Sequence, residues 1–264
     1  MLELKNIHKT FNPGTINEKV ALNGLNLSLD DGDFVTVIGG NGAGKSTMLN
    51  AVAGTWMVDE GQILIDGEDV TKLPEHKRAI YLGRVFQDPM TGTAATMEIQ
   101  ENLALAKRRG KRRLLAPGIT KAEREEYVSL LAPLGLGLET RLTSKVGLLS
   151  GGQRQALTLM MATFHPPKLL LLDEHTAALD PGTAEKVLTL TKQIVQENGL
   201  TCLMITHNML SALELGNRTI MMHRGRIVMD VSGAERDALT VNDLLQRFKD
   251  SAGSALDNDR MLLI

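Results

Sequence analysis

The feature that most restricts the fold of this chain is a glycine cluster between an apolar run and a segment with helical spacing. The run is Phe34-Val35-Thr36-Val37-Ile38, which ends at Gly39. β-Branched and aromatic residues of this kind favour a buried strand. Residues 47–53 have helix-compatible spacing. The order strand, glycine loop and helix therefore predicts the start of a βαβ unit in a parallel sheet.

The rest of the chain divides into strand-like and helix-like stretches. In the first thirty residues leucines alternate with polar neighbours, which predicts antiparallel strands. Residues 97–136 lose that alternation and predict a helical insertion. A helix is predicted at 241–248. Further strands are predicted at 61–65, 80–86, 169–172, 200–205, 218–222 and 226–230, the first two as a pair around the turn sequence DGEDV and the last two as a hairpin.

Composition excludes an intrinsically disordered or collagen-like chain. The 264 residues suit one large domain or two small ones, and 43% hydrophobic with 23% charged residues is typical of a folded globular chain. The net charge of −2 gives no global excess of positive charge for nucleic acid, which is not expected as a partner. Cys202 is the only cysteine, so no internal disulfide can form. No apolar run has the length of a membrane span, and the expected location is the cytosol.

The glycine cluster also predicts a phosphate-binding loop. Residues 39–46 read GGNGAGKS and fit the pattern GxxxxGK[ST], in its proper place between strand and helix. Glycines let backbone N–H groups converge on phosphate oxygens, while Lys45 can reach the β- and γ-phosphates and Ser46 can ligate Mg²⁺. The alternative is a glycine-rich turn that enters a helix without binding a ligand. The expected nucleotide contacts are Gly39, Asn41, Gly42, Ala43, Gly44, Lys45, Ser46 and Thr47.

A second glycine motif follows about a hundred residues later. It reads Leu149-Ser150-Gly151-Gly152-Gln153 and precedes a helix-like stretch at 154–164. Ser150 is a favoured helix cap, and the two glycines can expose backbone donors to an anion. An ordinary turn into a helix is the alternative. Placed behind a phosphate loop, the run resembles the signature sequence of ATP-binding cassette (ABC) ATPases, and the resemblance extends from the first residues to about residue 248.

This resemblance implies the fold and the domain organisation. The expected fold is α/β, a P-loop NTPase (RecA-like) core with an antiparallel β-subdomain and a helical subdomain. The ATP-binding domain would cover residues 1–248, with the helical subdomain inserted at about 90–155 and a C-terminal tail at 249–264. The resemblance also implies that Ser150, Gly151, Gly152 and Gln153 contact the nucleotide.

The resemblance also implies roles for residues at three strand ends. Asp173 matches an acid that coordinates Mg²⁺, and Glu174 matches the general base. Gln87 matches a glutamine that contacts Mg²⁺ and senses the γ-phosphate, and His207 matches a histidine that contacts the γ-phosphate and positions the base. Without the resemblance, the two acids could cap the exposed end of a strand and the histidine could be a surface residue.

The sequence leaves alternatives open for the roles of several other residues. Phe11 falls where the family places an aromatic ring against adenine, although a core phenylalanine is the alternative. His175 departs from the family, in which proline usually follows the catalytic glutamate. Residues 107–113 contain six basic residues in seven, which favours a solvated loop over a surface that binds the phosphates of lipid or nucleic acid.

The expected function is that of an ATP-hydrolysing, nucleotide-binding subunit of an ABC membrane transporter, with ATP and Mg²⁺ as cofactors. A bacterial importer of a small solute, such as an amino acid, is expected. The expected partners are separate transmembrane permease subunits, a solute-binding protein and a second copy in a head-to-tail homodimer, on the inner face of the plasma membrane. The alternative is a non-transport ABC ATPase that acts on nucleic acid or ribosomes.

Overall fold

The computed structural model describes residues 1–111 and 118–252. The chain divides into two compact units. The first unit combines Met1–Tyr81 with Gly199–Ile264, and the second is Leu82–Asn198. Within the described residues, no helix is both long enough and apolar enough to cross a membrane.

Strands and helices are numbered in chain order. The strands are β1 Leu2–Phe11, β2 Lys19–Leu29, β3 Phe34–Ile38, β4 Glu60–Ile65, β5 Glu68–Asp69, β6 Leu82–Val85, β7 Leu169–Asp173, β8 Thr201–Ile205, β9 Arg218–His223 and β10 Arg226–Ser232. The helices are α1 Lys45–Ala53, α2 Glu75–Arg78, α3 Ile99–Lys107, α4 Lys121–Leu131, α5 Gly151–Thr163, α6 Pro181–Glu197, α7 Met209–Glu214, α8 Gly233–Asp237 and α9 Val241–Ala252. Residues 253–264, most of the expected tail, lie outside the described residues.

The first unit contains an antiparallel sheet and strands of a second, largely parallel sheet. The antiparallel order is β2-β1-β4-β5, which confirms the expectation for the opening residues. In the other sheet, β3 runs parallel to β8 on one side and to β9 on the other, and β9 forms the predicted hairpin with β10. Every residue of β3 and of β8 is buried. Burial on both faces explains why these strands are continuous apolar runs without alternation.

The second unit pairs β6 with β7 in parallel, with Leu82 opposite Leu169 and Val85 opposite Leu172. The helices α3, α4 and α5 form its own apolar core, in which Ile99, Leu103 and Tyr127 are fully buried. The helices predicted within residues 97–136 are present as α3 and α4, and the unit brings a helical core and two parallel strands together.

One predicted strand pairing is wrong. The sequence suggested that residues 61–65 and 80–86 pair around the DGEDV turn. Instead β4 pairs with β1 and forms a tight hairpin with β5, and β6 pairs in parallel with β7. The α2 helix lies between β5 and β6. Apolar patterning identifies a strand but not its partner, because pairing depends on residues distant in sequence.

Arg78 ties the C-terminal end of α1 to the segment before α2. Its guanidinium is fully buried. It donates to the backbone oxygens of Ala51 at 2.6 Å and Val52 at 2.9 Å, and also to those of Leu73 at 2.8 Å and Thr71 at 2.9 Å. Burial lowers the pKa of Arg78 from its ordinary value. The positive charge faces the carbonyl end of α1, where the helix dipole favours a cation.

Candidate nucleotide-binding site

The predicted phosphate loop lies between β3 and α1. Gly39, Gly42 and Gly44 have φ angles of 148°, 76° and 103°, in the range that L side chains rarely adopt. A β-carbon on Gly39 would lie 2.3 Å from the backbone oxygen of Met222, and one on Gly44 would lie 2.5 Å from that of Ala21. At positions 39 and 44, glycine is therefore required both by the backbone conformation and by the close approach of neighbouring backbone.

The N-terminus of α1 has the features of an anion site. Gly44 is its N-cap residue, and no side chain caps this helix. Lys45 is only 5% exposed, and its ammonium donates to the backbone oxygens of Gly39 at 2.6 Å and Gly40 at 3.2 Å. The lysine thus holds the loop closed around the helix N-terminus, where the partial positive charge of the helix lies. This geometry fits a phosphate group.

The outer residues of the loop are held differently. Asn41 and Ser46 are exposed and Thr47 is half-buried, whereas Ala43 is buried. The backbone oxygen of Ala43 accepts a hydrogen bond of 2.9 Å from the N–H of Gly225, in the turn of the β9–β10 hairpin. The sequence reasoning missed this support, for which the glycine in the turn His223-Arg224-Gly225 was the available signal.

His207 lies at the same sheet edge as the phosphate loop. It follows β8, which runs parallel to β3 with Val37 opposite Ile205. The N–H of Thr206 continues this pairing by donating to the oxygen of Val37 at 3.1 Å. Since neighbouring parallel strands end on the same edge, the first unit brings His207 and the loop after β3 to one side of its sheet.

The signature motif begins α5 in the second unit. Ser150 is the N-cap: its hydroxyl accepts a hydrogen bond of 3.3 Å from the N–H of Gln153, whose side-chain oxygen accepts one of 3.2 Å from the N–H of Ser150. This is a capping box. A β-carbon on Gly152 would lie 2.0 Å from Cγ2 of Thr183, at the start of α6. The motif therefore has a local structural role, since Gly152 permits close packing of α5 and α6.

The second unit also brings Gln87, Asp173 and Glu174 to one edge. β6 and β7 are parallel neighbours, with Val85 opposite Leu172, and the three residues lie at or just beyond the carboxyl ends of these strands. Gln87 is exposed and the two acids are half-buried. Glu174 has a φ of 45°, the left-handed conformation that a non-glycine residue adopts at a cost. Strain of this kind is often stored at functional sites.

His175 is buried directly beside this strained residue. It is 2% exposed, and its Nε2 lies 3.0 Å from the hydroxyl oxygen of Thr191 on α6. The Thr191 hydroxyl itself donates to the oxygen of Val187 at 2.8 Å. Thr191 has one hydroxyl proton, so the His175 ring is the donor between the two side chains. Burial lowers the pKa of His175 to about 4, which keeps the ring neutral at physiological pH.

Phe11 closes the strand β1. Its side chain is half-buried and contacts Trp56 in a T-shaped arrangement, with ring centroids 4.4 Å apart and planes at 87°. In the antiparallel sheet Phe11 pairs with Lys19 of β2. The sequence reasoning did not single out Trp56, because nothing local to residue 56 shows that it meets the end of β1.

The basic run at 107–113 has internal partners in its described part. Lys107 contacts Glu123 and Glu126, and Arg109 donates to the backbone oxygens of Ala162 at 3.2 Å and His165 at 3.0 Å. Arg112 and Arg113 lie outside the described residues. The described part of the run therefore contributes to the packing of the second unit.

Comparisons with known proteins agree with the geometry of these loops. Residues 22–177 match the family model described as ABC transporter. The chain is 44% identical over 254 residues to a tyrosine transport ATP-binding protein of Clostridioides difficile, an alignment that covers 94% of this chain and 99% of the relative. It is 31% identical over 249 residues to a xylose/arabinose import ATP-binding protein of Sulfolobus acidocaldarius, covering 94% of both chains.

Solved structures give the same result. A dimeric cassette of a bacterial ABC transporter, MJ0796, superimposes with a TM-score of 0.75 and 31% identity, covering 88% of this chain and 98% of that one. A post-hydrolysis dimer of the same cassette bound to ADP and Pi gives a TM-score of 0.74 at 30% identity, with the same coverage. The chain belongs to the ABC transporter family. It has the fold of that family's ATP-binding cassettes, and it is an ATPase.

Proposed function

We propose that this chain energises an importer of a small solute, with an amino acid as the transported class, through separate membrane-embedded permease subunits. One relative, aligned over 94% of this chain and 99% of its own length, is described as a tyrosine transport ATP-binding protein, and another as a xylose/arabinose import ATP-binding protein. A solute-binding protein outside the membrane completes this proposal, in which the chain lies on the inner membrane face. The observation that carries the ATPase part is the glycine cradle closed by Lys45 over an α1 helix that no side chain caps.

The residues of the first unit fit a nucleoside triphosphate. The backbone of residues 39–44 and the Lys45 ammonium would hold the β- and γ-phosphates, with Asn41, Ala43, Ser46 and Thr47 around them. We assign His207, at the same sheet edge, to the γ-phosphate. Phe11 would stack on the adenine.

Mg²⁺ fits the oxygen donors that the sequence offers. The Ser46 hydroxyl, the Gln87 side-chain oxygen and the Asp173 carboxylate are hard ligands of the type this ion prefers. Bound Mg²⁺ would neutralise charge on the β- and γ-phosphate oxygens. Within the described residues no cluster of three or more His, Cys, Asp or Glu side chains could hold a metal alone, which is in keeping with an ion bound mainly through the substrate.

Glu174 is the proposed general base. Its carboxylate would accept a proton from the attacking water, while His207 would hold the base and the γ-phosphate in position. In a head-to-tail homodimer, Ser150, Gly151, Gly152 and Gln153 of one protomer would cover the phosphates that the partner's loop holds. Hydrolysis would then release the two protomers and drive the permease between two states.

Co-purification from native membranes tests the transport proposal. The tagged chain would be isolated after gentle solubilisation, and its partners identified by mass spectrometry. We expect a stoichiometric polytopic membrane protein among the partners. A Lys111→Gln variant, changed in the basic run and not in the nucleotide site, is the control and should retain this protein equally. Ribosomal proteins or DNA in place of a permease would contradict the proposal and support the alternative, a non-transport ABC ATPase. The similarity to transport proteins makes that alternative less favoured.

Glu174→Gln tests the proposed base. The variant keeps the shape of the side chain but cannot accept the proton, so we expect ATP binding with a loss of turnover of about a hundredfold or more. A stable ATP-dependent dimer in size-exclusion chromatography is the accompanying result. Wild-type turnover in this variant would refute the assignment of Glu174.

A further inference from the structure

Phe11 and Trp56 form an aromatic pair that the phosphate loop itself does not require. Trp56 comes two residues after Gly54, the residue that ends α1, and is 40% exposed. A helix of nine residues is about 13 Å long. The phosphate loop lies at the start of this helix and Trp56 beyond its end, a separation comparable with the length of an extended nucleoside triphosphate.

Several contacts fix the end of β1 to the segment that follows α1. The Asp59 carboxylate accepts a hydrogen bond of 2.6 Å from the N–H of Thr10 and forms a 2.8 Å ion pair with Lys9. The N–H of Asp59 donates to the oxygen of His8 at 2.9 Å. These three contacts hold the backbone on either side of the two rings, so the aromatic contact forms between segments that are already aligned.

On the β2 side of strand β1, Phe11 is linked to the phosphate loop through Lys19. Phe11 pairs with Lys19, and the Lys19 ammonium lies beside Gly42, since a β-carbon placed on Gly42 would be 3.4 Å from it. A single T-shaped contact with Trp56 can occupy at most one face of the Phe11 ring. The Lys9 ammonium, 5.7 Å from the ring centroid, adds a cation–π contact.

We propose that Trp56 is a positioning residue for the nucleobase: its edge-to-face contact sets the plane of the Phe11 ring, on which the adenine stacks. This inference rests on the proposed nucleotide site and names a further residue of it. Edge-to-face pairs add free energy beyond their buried area and depend strongly on ring geometry. Without the indole ring, Phe11 can rotate about its side-chain bonds, and stacking then requires the ring to be ordered at the moment of binding.

The test compares ligands with and without a base. Wild type, Trp56→Ala, Trp56→Phe and Phe11→Ala would be titrated with ATP and with inorganic tripolyphosphate, and ATPase kinetics recorded. We expect Trp56→Ala to weaken ATP binding about three- to tenfold. Its tripolyphosphate affinity should stay at the wild-type value, and KM should rise without a change in kcat. Trp56→Phe restores an aromatic pair and should recover most of the ATP affinity.

A double variant separates positioning from general packing. If Trp56 acts through Phe11, adding Trp56→Ala to Phe11→Ala should cause no further loss of ATP affinity. Additive losses, equal losses for ATP and tripolyphosphate, or an unchanged ATP affinity in Trp56→Ala would each overturn the inference. Wild-type protein that binds neither ligand would instead overturn the proposed nucleotide site, so the two failures are distinguishable.

The same residue supplies a direct signal. Trp56 is the only tryptophan in the chain. Wild-type fluorescence should therefore change on addition of ATP and remain constant with tripolyphosphate. An equal fluorescence response to both ligands would show that phosphate binding alone changes the surroundings of the indole. That result would contradict a role of Trp56 toward the base.

Discussion

The two glycine-rich loops of this chain begin helices in opposite ways. In the phosphate loop, three glycines have left-handed φ angles and α1 has no side-chain cap. In the signature loop, Gly151 and Gly152 belong to α5 itself, whose N-terminus is closed by the capping box of Ser150 and Gln153. The first loop takes its shape mainly from its backbone, with the Lys45 side chain bonded across it, and the second from the side chains of Ser150 and Gln153. A backbone-shaped loop is ready for an anion, and in the capped helix the box uses the N–H groups of Ser150 and Gln153 but not those of Gly151 and Gly152.

Gly44→Ala is expected to have the largest effect, because it disrupts a backbone-shaped loop. The new methyl group would meet the Ala21 oxygen at 2.5 Å, and φ is 103°. We expect ATP affinity to fall about a hundredfold or more, with strain of about 1–3 kcal/mol. Isothermal titration calorimetry and thermal denaturation measure the two effects.

Gly151→Ala is the matched variant in the other loop. A β-carbon there meets only Cδ2 of Leu179, at 3.2 Å, and φ is not positive. Its thermal stability and monomer ATP affinity should remain close to those of the wild type. Equal damage from Gly44→Ala and Gly151→Ala would remove the distinction between the loops.

The stability of the second unit should decrease in acid because of the buried side chain of His175. Its pKa is about 4 in the fold, below the ordinary value of 6.5. The unfolded chain therefore binds a proton more readily, and the stability present above pH 6.5 is lost as pH falls toward 4. The expected loss is about 3 kcal/mol in nucleotide-free, metal-free protein.

A His175→Gln variant provides the control for this pH dependence. Glutamine can still donate to Thr191 but does not titrate. The decrease in melting temperature between pH 6.5 and 4 should be smaller in this variant than in the wild type. Parallel pH profiles for the two proteins would show that other groups govern acid stability.

Gly152→Ala tests whether the crowding in the signature loop can be relieved. The added methyl group would meet the Thr183 side chain, and overpacking of this kind costs about 1–3 kcal/mol. Thr183→Ala removes the opposing methyl group and should restore most of the stability in the double variant. Failure of that rescue would contradict the assignment of the crowding to the Thr183 side chain.

Ser150→Ala should have the smallest effect, a loss of about 1 kcal/mol from the α5 cap. Ser150→Asp keeps an acceptor for the Gln153 N–H and should preserve stability, as measured by urea denaturation. An alanine variant as stable as wild type would show that the capping box contributes nothing measurable to the fold.

The sequence predicted what depends on neighbouring residues. The phosphate loop, its flanking strand and helix, and the Ser150 cap all follow from residues a few positions apart, and each is present. The partners of β4 and β6 did not follow, because pairing joins distant segments. The contact between Phe11 and Trp56 was missed for the same reason. The roles assigned to Gln87, Asp173, Glu174 and His207 remain predictions, although each residue lies at or beyond the end of a strand.

Arg78 limits which sequences this fold can accept. Four backbone oxygens surround its planar guanidinium, which has donors in enough directions to satisfy all of them. Lysine carries the same charge but only three donors on one atom, so it would leave an oxygen unsatisfied in a buried place. A β-carbon on Gly54 would lie 2.7 Å from the Arg78 side chain, and Gly54 also has a φ of 80°, so glycine is needed at position 54 both beside the arginine and for its own backbone. Relatives that keep this arginine should therefore keep Gly54 as well.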